Sequence, residues 1–332
     1  MSRKFSAAYL GKKKDMNIRE KRELFERKKS SGESAVLKFV GVNGYDVYNC
    51  SAPFVWRGKR YMYGRVEKPH EWARSRTMLF VETASDVWTR AENSMIYQTE
   101  DPNIAVIGGK LVLGGVFVRY SRGEGAGVFN FFYRGNDLED MYYFTTEPRD
   151  MKDIRLVELA DGKIGVFSRP RFAKADENGS LSCMGYTQID TLDELCDEVI
   201  ESARPIPDVF GKGEWGGPNQ AYLLESGNIG IVGHKAYTLY GDTQAYISVA
   251  WVFDPVSRRM LDEKILATTA RFPAVRPKLA HITDCTFPSG ICMRSDGKCD
   301  LYSGLSDSCE GRVAIEYPFG GYGKIVKREI SE

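Results

Sequence analysis

Arg65, Arg169 and His234 each stand seven residues after a glycine, at Gly58, Gly162 and Gly227, and Val116 and Gly304 hold the same place after Gly109 and Gly297. Eight residues before Gly109 and Gly227 stand Asp101 and Asn219, each beside a proline. Arg and His suit a phosphate group through charge-assisted and bidentate bonds. Arg65, Arg169 and His234 are therefore the phosphate-binding candidates. Acids and amides suit the hydroxyls of a sugar, and aromatic faces such as Tyr48 and Trp215 suit its C–H surface. By that criterion Asn49, Ser51, Glu100, Asn219, His281, Asp284 and Tyr302 are the sugar-binding candidates. Asp101 is the candidate general acid. One acid with a cationic cradle matches phosphorolysis, because phosphate arrives as an anionic nucleophile. An inverting hydrolase needs a second carboxylate as base, and Asp284 or Asp307 would have to supply it.

The elements that must position these residues are hairpins. One pattern recurs five times: an apolar strand, a glycine beside a polar residue, then a second strand. It reads FVWRGKRYMYGR, IAVIGGKLVLGG, LVELADGKIGVFSR, YLLESGNIGIVGH and ICMRSDGKCDLYSG, with the glycines every fifty to seventy residues. Glycine supplies the positive φ of a tight turn, and the β-branched and aromatic flanks favour strands. Each period holds a four-stranded sheet, so the reading is all-β, a five-bladed β-propeller over residues 35–332. A sandwich of unrelated hairpins is the alternative. In a propeller the start of each first strand and the end of each second meet at one mouth. The five glycines should then turn equivalently around an axis. Residues 36–42 should meet 323–327 to close the ring.

Two stretches break the pattern. Residues 1–34 form a polar extension in which Asn17 to Lys29 reads as a helix. Thr191-Leu-Asp-Glu-Leu onward reads as an inserted amphipathic helix, capped by Thr191 with Glu194 completing a capping box.

The 332 residues carry 46 Lys and Arg against 45 Asp and Glu, a net charge of +1. No basic footprint for nucleic acid or membrane follows, and no apolar run reaches the ~18 residues of a spanning helix. Seven cysteines without a C-x-x-C, and three dispersed histidines, argue for free thiols in a cytoplasmic protein and against a metal site.

The chain resembles a known group. Glu100-Asp101-Pro102-Asn103 at the second hairpin resembles the five-bladed β-mannoside phosphorylases of glycoside hydrolase family 130. Tyr48 to Pro53, Trp215 to Gln220, His281 to Phe287 and Ser303 to Asp307 are similar to the domain-of-unknown-function 1861 proteins, grouped as glycosyltransferase family 108. The resemblance runs from about Val36 to the C-terminus. It implies inverting phosphorolysis of β-1,2-linked mannooligosaccharides to α-mannose 1-phosphate. Phosphate is then the co-substrate and no cofactor is needed. Some members run the synthetic direction from nucleotide-mannose. It also implies that Asp101 acts through a sugar hydroxyl relay. A hydrolase and a non-catalytic carbohydrate-binding propeller remain open alternatives, although mouth residues that differ between units favour one asymmetric site.

Overall fold

The computed structural model describes residues 16–28, 32–121, 125–139, 141–146, 148–170 and 179–330. The chain is mainly β. Helix α1 (Ile18–Glu26) precedes strands β1 (Ser34–Val36), β2 (Lys38–Val40) and β3 (Asp46–Tyr48). The first hairpin is β4 (Phe54–Trp56) with β5 (Lys59–Glu67), extended by β6 (Arg76–Ala84) and β7 (Val87–Arg90). The second unit is β8 (Glu100–Ile107), β9 (Lys110–Ser121), β10 (Gly125–Gly135) and β11 (Tyr142–Thr146). The third is β12 (Met151–Glu158), β13 (Ile164–Pro170), β14 (Gly185–Ile189) and β15 (Arg204–Pro205), with helix α2 (Asp197–Glu201) between the last two. The fourth is β16 (Glu214–Leu223), β17 (Ile229–Tyr240), β18 (Thr243–Asp254) and β19 (Arg259–Ala267). The fifth is β20 (Asp284–Met293), β21 (Cys299–Leu305) and β22 (Cys309–Ile315), joined by β1 as a fourth antiparallel strand.

All five repeat glycines sit at hairpin turns with positive φ, between 71° and 85°. Five apolar clusters fill the spaces between consecutive units. Tyr63 and Leu79 meet Ile104 and Leu113. Val112 and Phe132 meet Leu156 and Val166. Phe167 and Tyr186 meet Ile231 and Trp251. Val232 and Val252 meet Leu301 and Val313. The last cluster joins Tyr302 of the fifth unit to Val47, Met62 and Phe80 of the first. The N-terminal strand reaches the fifth unit at Ser34–Val36, opposite Gly311–Val313. The expected partner segment, 323–327, lies elsewhere, since Ile325 bridges Leu224 of the fourth unit.

Helix α1 has the capping box its sequence encodes, with Asn17 accepting from backbone N–H groups and Glu20 returning to Asn17. It docks rather than standing in solvent. Ile18 enters the apolar cluster of the third and fourth units, Lys21 pairs with Glu263 at 2.6 Å and Arg22 pairs with Asp284 at 2.6 Å. The inserted helix is not continuous. Leu192–Glu194 is a 3-10 turn and α2 begins only at Asp197. Leu195 goes extended at ψ 108° between them, which drops its side chain into the core beside Ile189 and Ile200. Thr191 makes no backbone cap, and Glu194 reaches the Asp190 N–H instead.

Glu310, on β22, is fully buried and accepts from the Ser289 hydroxyl and the Cys50 N–H. Burial pushes its carboxyl up to about 7. The unfolded chain ionises this group near pH ~4.3, so between there and 7 the native state holds the extra proton and stability falls as pH rises. Glu310→Gln can accept from the Cys50 N–H and donate to the Ser289 hydroxyl oxygen, without the charge. Urea titrations should show the variant gaining on the wild type across that window, by about 3 kcal/mol once above pH 7. A constant difference from pH 4 to 8 would contradict this.

Candidate functional site

The first strand of every unit is irregular near its start. In the second to fifth units it carries one residue more than its partner strand, at Asp101-Pro102, Asp153-Ile154, Asn219 and Ser289. In the first unit the strand is interrupted between β3 and β4, and Asn49 sits in the gap at φ 46°. Bulges re-aim side chains, and here Asp101 and Asp153 take left-handed backbone, at φ 50° and 52°. Pro102 fits such a position because it offers no N–H to the ladder. Opposite these points the register sets Arg65 against Tyr48, Val116 against Glu100, Arg169 against Lys152, His234 against Gly217 and Gly304 against Phe287.

Two clusters result. In the first, Asp101 Oδ1 accepts from Arg65 and from the Asn49 amide, each at 3.0 Å. Asp101 Oδ2 accepts from no described residue. The same Asn49 nitrogen donates to Asp307 at 3.2 Å. Loss of solvent, with Asp101 nearby, holds the Asp307 carboxyl above its ordinary range. Gly304 makes the arrangement possible, since a Cβ there would lie 1.9 Å from Asn49 Oδ1. Arg65 also pairs with Glu100 at 3.0 Å and Glu67 at 3.4 Å, and its Nε donates to Ser75. Lys278 neutralises Glu67 and bonds the Tyr48 hydroxyl, while Lys152 pairs with Glu100.

In the second cluster Arg169 pairs with Asp153 at 2.7 Å, and Arg155 stands 3.9 Å from the other Asp153 oxygen while donating to the Asn219 carbonyl. Burial alone would raise the Asp153 carboxyl, but Arg169, then His234 and Arg155, hold it down at about 2. His234 is wholly buried, and burial lowers its pKa to about 3. Its Nδ1 meets Asn219 Oδ1 at 2.8 Å. His234 Nε2, Arg169 Nε and Asn49 Oδ1 are buried without a hydrogen-bond partner. Buried polar atoms are normally satisfied, and these three stand beside the Asp101 and Asp153 clusters as open places for a ligand. The described residues hold no group of His, Cys, Asp and Glu arranged for a metal ion.

The structure thus brings Asp101, Arg65, Asn49 and Glu100 together, and Arg169, His234 and Asn219 together. Five expectations need correction. All three guanidinium nitrogens of Arg65 are engaged by carboxylates and Ser75, so Arg65 holds Asp101 and is not free for phosphate. Tyr302 is 2% exposed in the core, and its hydroxyl accepts from Arg60. Ser51 is buried and accepts the Tyr63 N–H. Asp284 has both oxygens taken, by Arg22 and Thr269, which removes it as a sugar ligand or base. His281 is half-buried in a 3-10 turn, Ala280–Ile282. His234, expected as a cation, is neutral at physiological pH.

A family model described as "protein of unknown function (DUF1861)" matches residues 23–321. The chain belongs to the DUF1861 family. Among curated proteins no relative matches. This DUF1861 protein is 42% identical to a mannose phosphorylase from Leishmania mexicana solved with a phosphate ion, over 95% of this chain and 98% of that one, TM-score 0.89. It is 43% identical to a GDP-Man-dependent mannosyltransferase from the same organism, over 94% and 98%, TM-score 0.87. An endo-arabinase from Bacteroides thetaiotaomicron, 10% identical over 88% of this chain and 100% of that one at TM-score 0.55, shows the fold alone.

Sequence reasoning missed Asp153, Arg155 and Lys278 in this DUF1861 protein. Asp153 lies nine residues before Gly162, not eight. The third hairpin turns through Ala160-Asp161-Gly162, one residue more than Gly108-Gly109 in the second, and a search that allowed a longer turn would have found Asp153-Ile154-Arg155. Lys278 had no repeat signal, since it comes from the connection ahead of β20. Gly304→Ala should lower unfolding free energy by about 1–3 kcal/mol, because both the Asn49 amide and its backbone stand in the way. Gly320→Ala, with nothing within 4 Å, serves as control. Equal urea midpoints for the two variants would show that Asn49 is not held there.

Proposed function

We propose that this protein is an inverting phosphorylase of β-1,2-linked mannooligosaccharides, releasing α-mannose 1-phosphate, and that its five units are five propeller blades around the site. One observation carries the reading. Arg155 and Arg169 are both sequestered against a single carboxylate, Asp153, with His234 Nε2 and Arg169 Nε unpartnered beside them. A buried cation in excess calls for an anion. Arg155, Asp153 and His234 are buried, which suits a small anion such as phosphate. The mannose phosphorylase that this chain resembles was solved with phosphate.

In the proposed reaction a phosphate oxygen held by Arg169 and Arg155 attacks the anomeric carbon. The bond from that carbon to the leaving sugar oxygen breaks, and the leaving oxygen takes a proton originating on Asp101. Asp101 Oδ2 is the available oxygen, since Oδ1 is bound by Arg65 and Asn49. The proton passes through a sugar hydroxyl. His234, with Nδ1 turned to Asn219, presents Nε2 as an acceptor for a phosphate or sugar hydroxyl. Asp307 is a second carboxylate beside Asp101. It shares one amide nitrogen with Asp101, which keeps two of their oxygens nearer than the ~6.5–9.5 Å an inverting hydrolase reserves for its water. That geometry supports phosphorolysis over hydrolysis. Transfer from a nucleotide-mannose donor is the second reading, favoured by the likeness to a GDP-Man-dependent mannosyltransferase.

Cleavage of β-1,2-mannobiose should require inorganic phosphate and yield mannose 1-phosphate of α configuration. Free mannose at the same rate without phosphate would make the protein a hydrolase, and turnover of GDP-mannose alone would favour the second reading. Asp101→Asn should slow turnover by about 10²–10⁴. Arg169→Ala should raise the phosphate requirement about tenfold to a hundredfold, matching ~1.5–3 kcal/mol for a charge-assisted bond. Lysine there should rescue only in part, because the fork is lost.

A further inference from the structure

A cavity of about 260 Å³ opens between the first and second units, walled by Ala73, Arg74, Gln98, Glu100 and Phe117 among others. We propose that this cavity is the subsite for the leaving sugar in phosphorolysis, the acceptor in synthesis, and that Arg74 and Tyr120 set its selectivity. The inference rests on the phosphorylase reading and adds to it the side on which the oligosaccharide lies.

Position is the first argument. Glu100 walls the cavity and also binds Arg65 and Lys152, and the next residue is Asp101, the proposed acid. The cradle of Arg155, Arg169 and His234 belongs to the third and fourth units. A single displacement puts nucleophile and leaving group on opposite faces of the anomeric carbon. With phosphate on the cradle side, the leaving sugar falls on the side of the first and second units, beside the group that supplies its proton.

Size and chemistry agree. The volume is below the ~300–1,000 Å³ typical of pockets for drug-sized ligands, which suits one sugar ring better than a nucleotide. Gln98 offers hydroxyl partners, while Glu100, its oxygens held by Arg65 and Lys152, is a fixed part of the wall. Arg74 is exposed and forms no ion pair among the described residues. Phe117 is held by stacking on Phe131 at 4.7 Å. Tyr120 is 57% exposed and lies two residues beyond the wall residue Val118 on the same face of β9, so its ring is free to meet a sugar face at the rim of the cavity. Trp72, 59% exposed, directly precedes the wall residue Ala73. Ala73 itself sits at φ 54°. Strain of that kind gathers where a loop is shaped for a ligand. The larger cavity, about 720 Å³ beside β19 and β22, has Lys264, Arg294 and Lys298 already paired with carboxylates.

The test uses the full chain and the variants Tyr120→Ala and Arg74→Ala, whose exposed side chains leave the core intact. In the synthetic direction, with mannose 1-phosphate as donor and β-1,2-mannobiose as acceptor, each variant should raise KM for the acceptor about tenfold. KM for mannose 1-phosphate should stay within about twofold, because the cradle is separate. No rise in acceptor KM, or an equal rise for both substrates, overturns the subsite. If the wild type turns over no mannoside at all, the phosphorylase reading fails, and calorimetric titration of mannobiose decides the subsite by itself. Binding lost in Tyr120→Ala then upholds it, and binding unaffected by both substitutions, or none in the wild type, overturns it.

Discussion

One extra residue near the start of a strand governs this site. A regular strand alternates its side chains between two faces, so an acid placed near the start of β8 or β12 would point into the packing between units or along the sheet. The bulges at Asp101-Pro102 and Asp153-Ile154 break the alternation and put both aspartates into left-handed backbone. Such conformations are uncommon outside glycine, and Asp and Asn tolerate them best. Asn49 follows the same rule in the first unit. The site thus depends on three short polar side chains that can occupy strained backbone while reaching toward a common centre.

Given that placement, charge balance does the rest. The acidic cluster would repel itself without Arg65, whose three nitrogens reach Asp101, Glu100, Glu67 and Ser75. Lys278, from the connection ahead of β20, and Lys152, on β12, complete the compensation. The neighbouring cluster is left the other way, with two guanidiniums on one aspartate. An acid held in one orientation lies beside a cationic cradle, and each is fixed by buried partners rather than by solvent-exposed loops. Preorganisation of this kind lets an enzyme stabilise developing charge without moving its own groups.

The N-terminal helix belongs to the same economy of charge. Its few apolar residues give it little to bury besides Ile18, so ion pairs from Lys21 and Arg22 hold it to Glu263 and Asp284. Asp284 begins β20, and in sequence it looked like a mouth carboxylate. The helix takes that carboxylate away from the site and uses it as an anchor.

The sequence by itself determined the strands and their turns. The five glycines with apolar flanks define hairpins because only glycine adopts those turn angles without strain, and the alternation is local. It also put Asp101, Asn219, Arg169 and His234 at matching ends of their hairpins, because register follows from counting along a hairpin. Only the tertiary structure decided which of these residues meet. The third hairpin's longer turn shifts the count and hid Asp153 and Arg155. The occupancy of Arg65 by three carboxylates depends on strands from two units and the loop at Ser75. The neutrality of His234 comes from burial, which no spacing reveals. Leu195 broke a helix that its own residues favoured, because the space between the second and third units offered an apolar site nearer than the next helical turn.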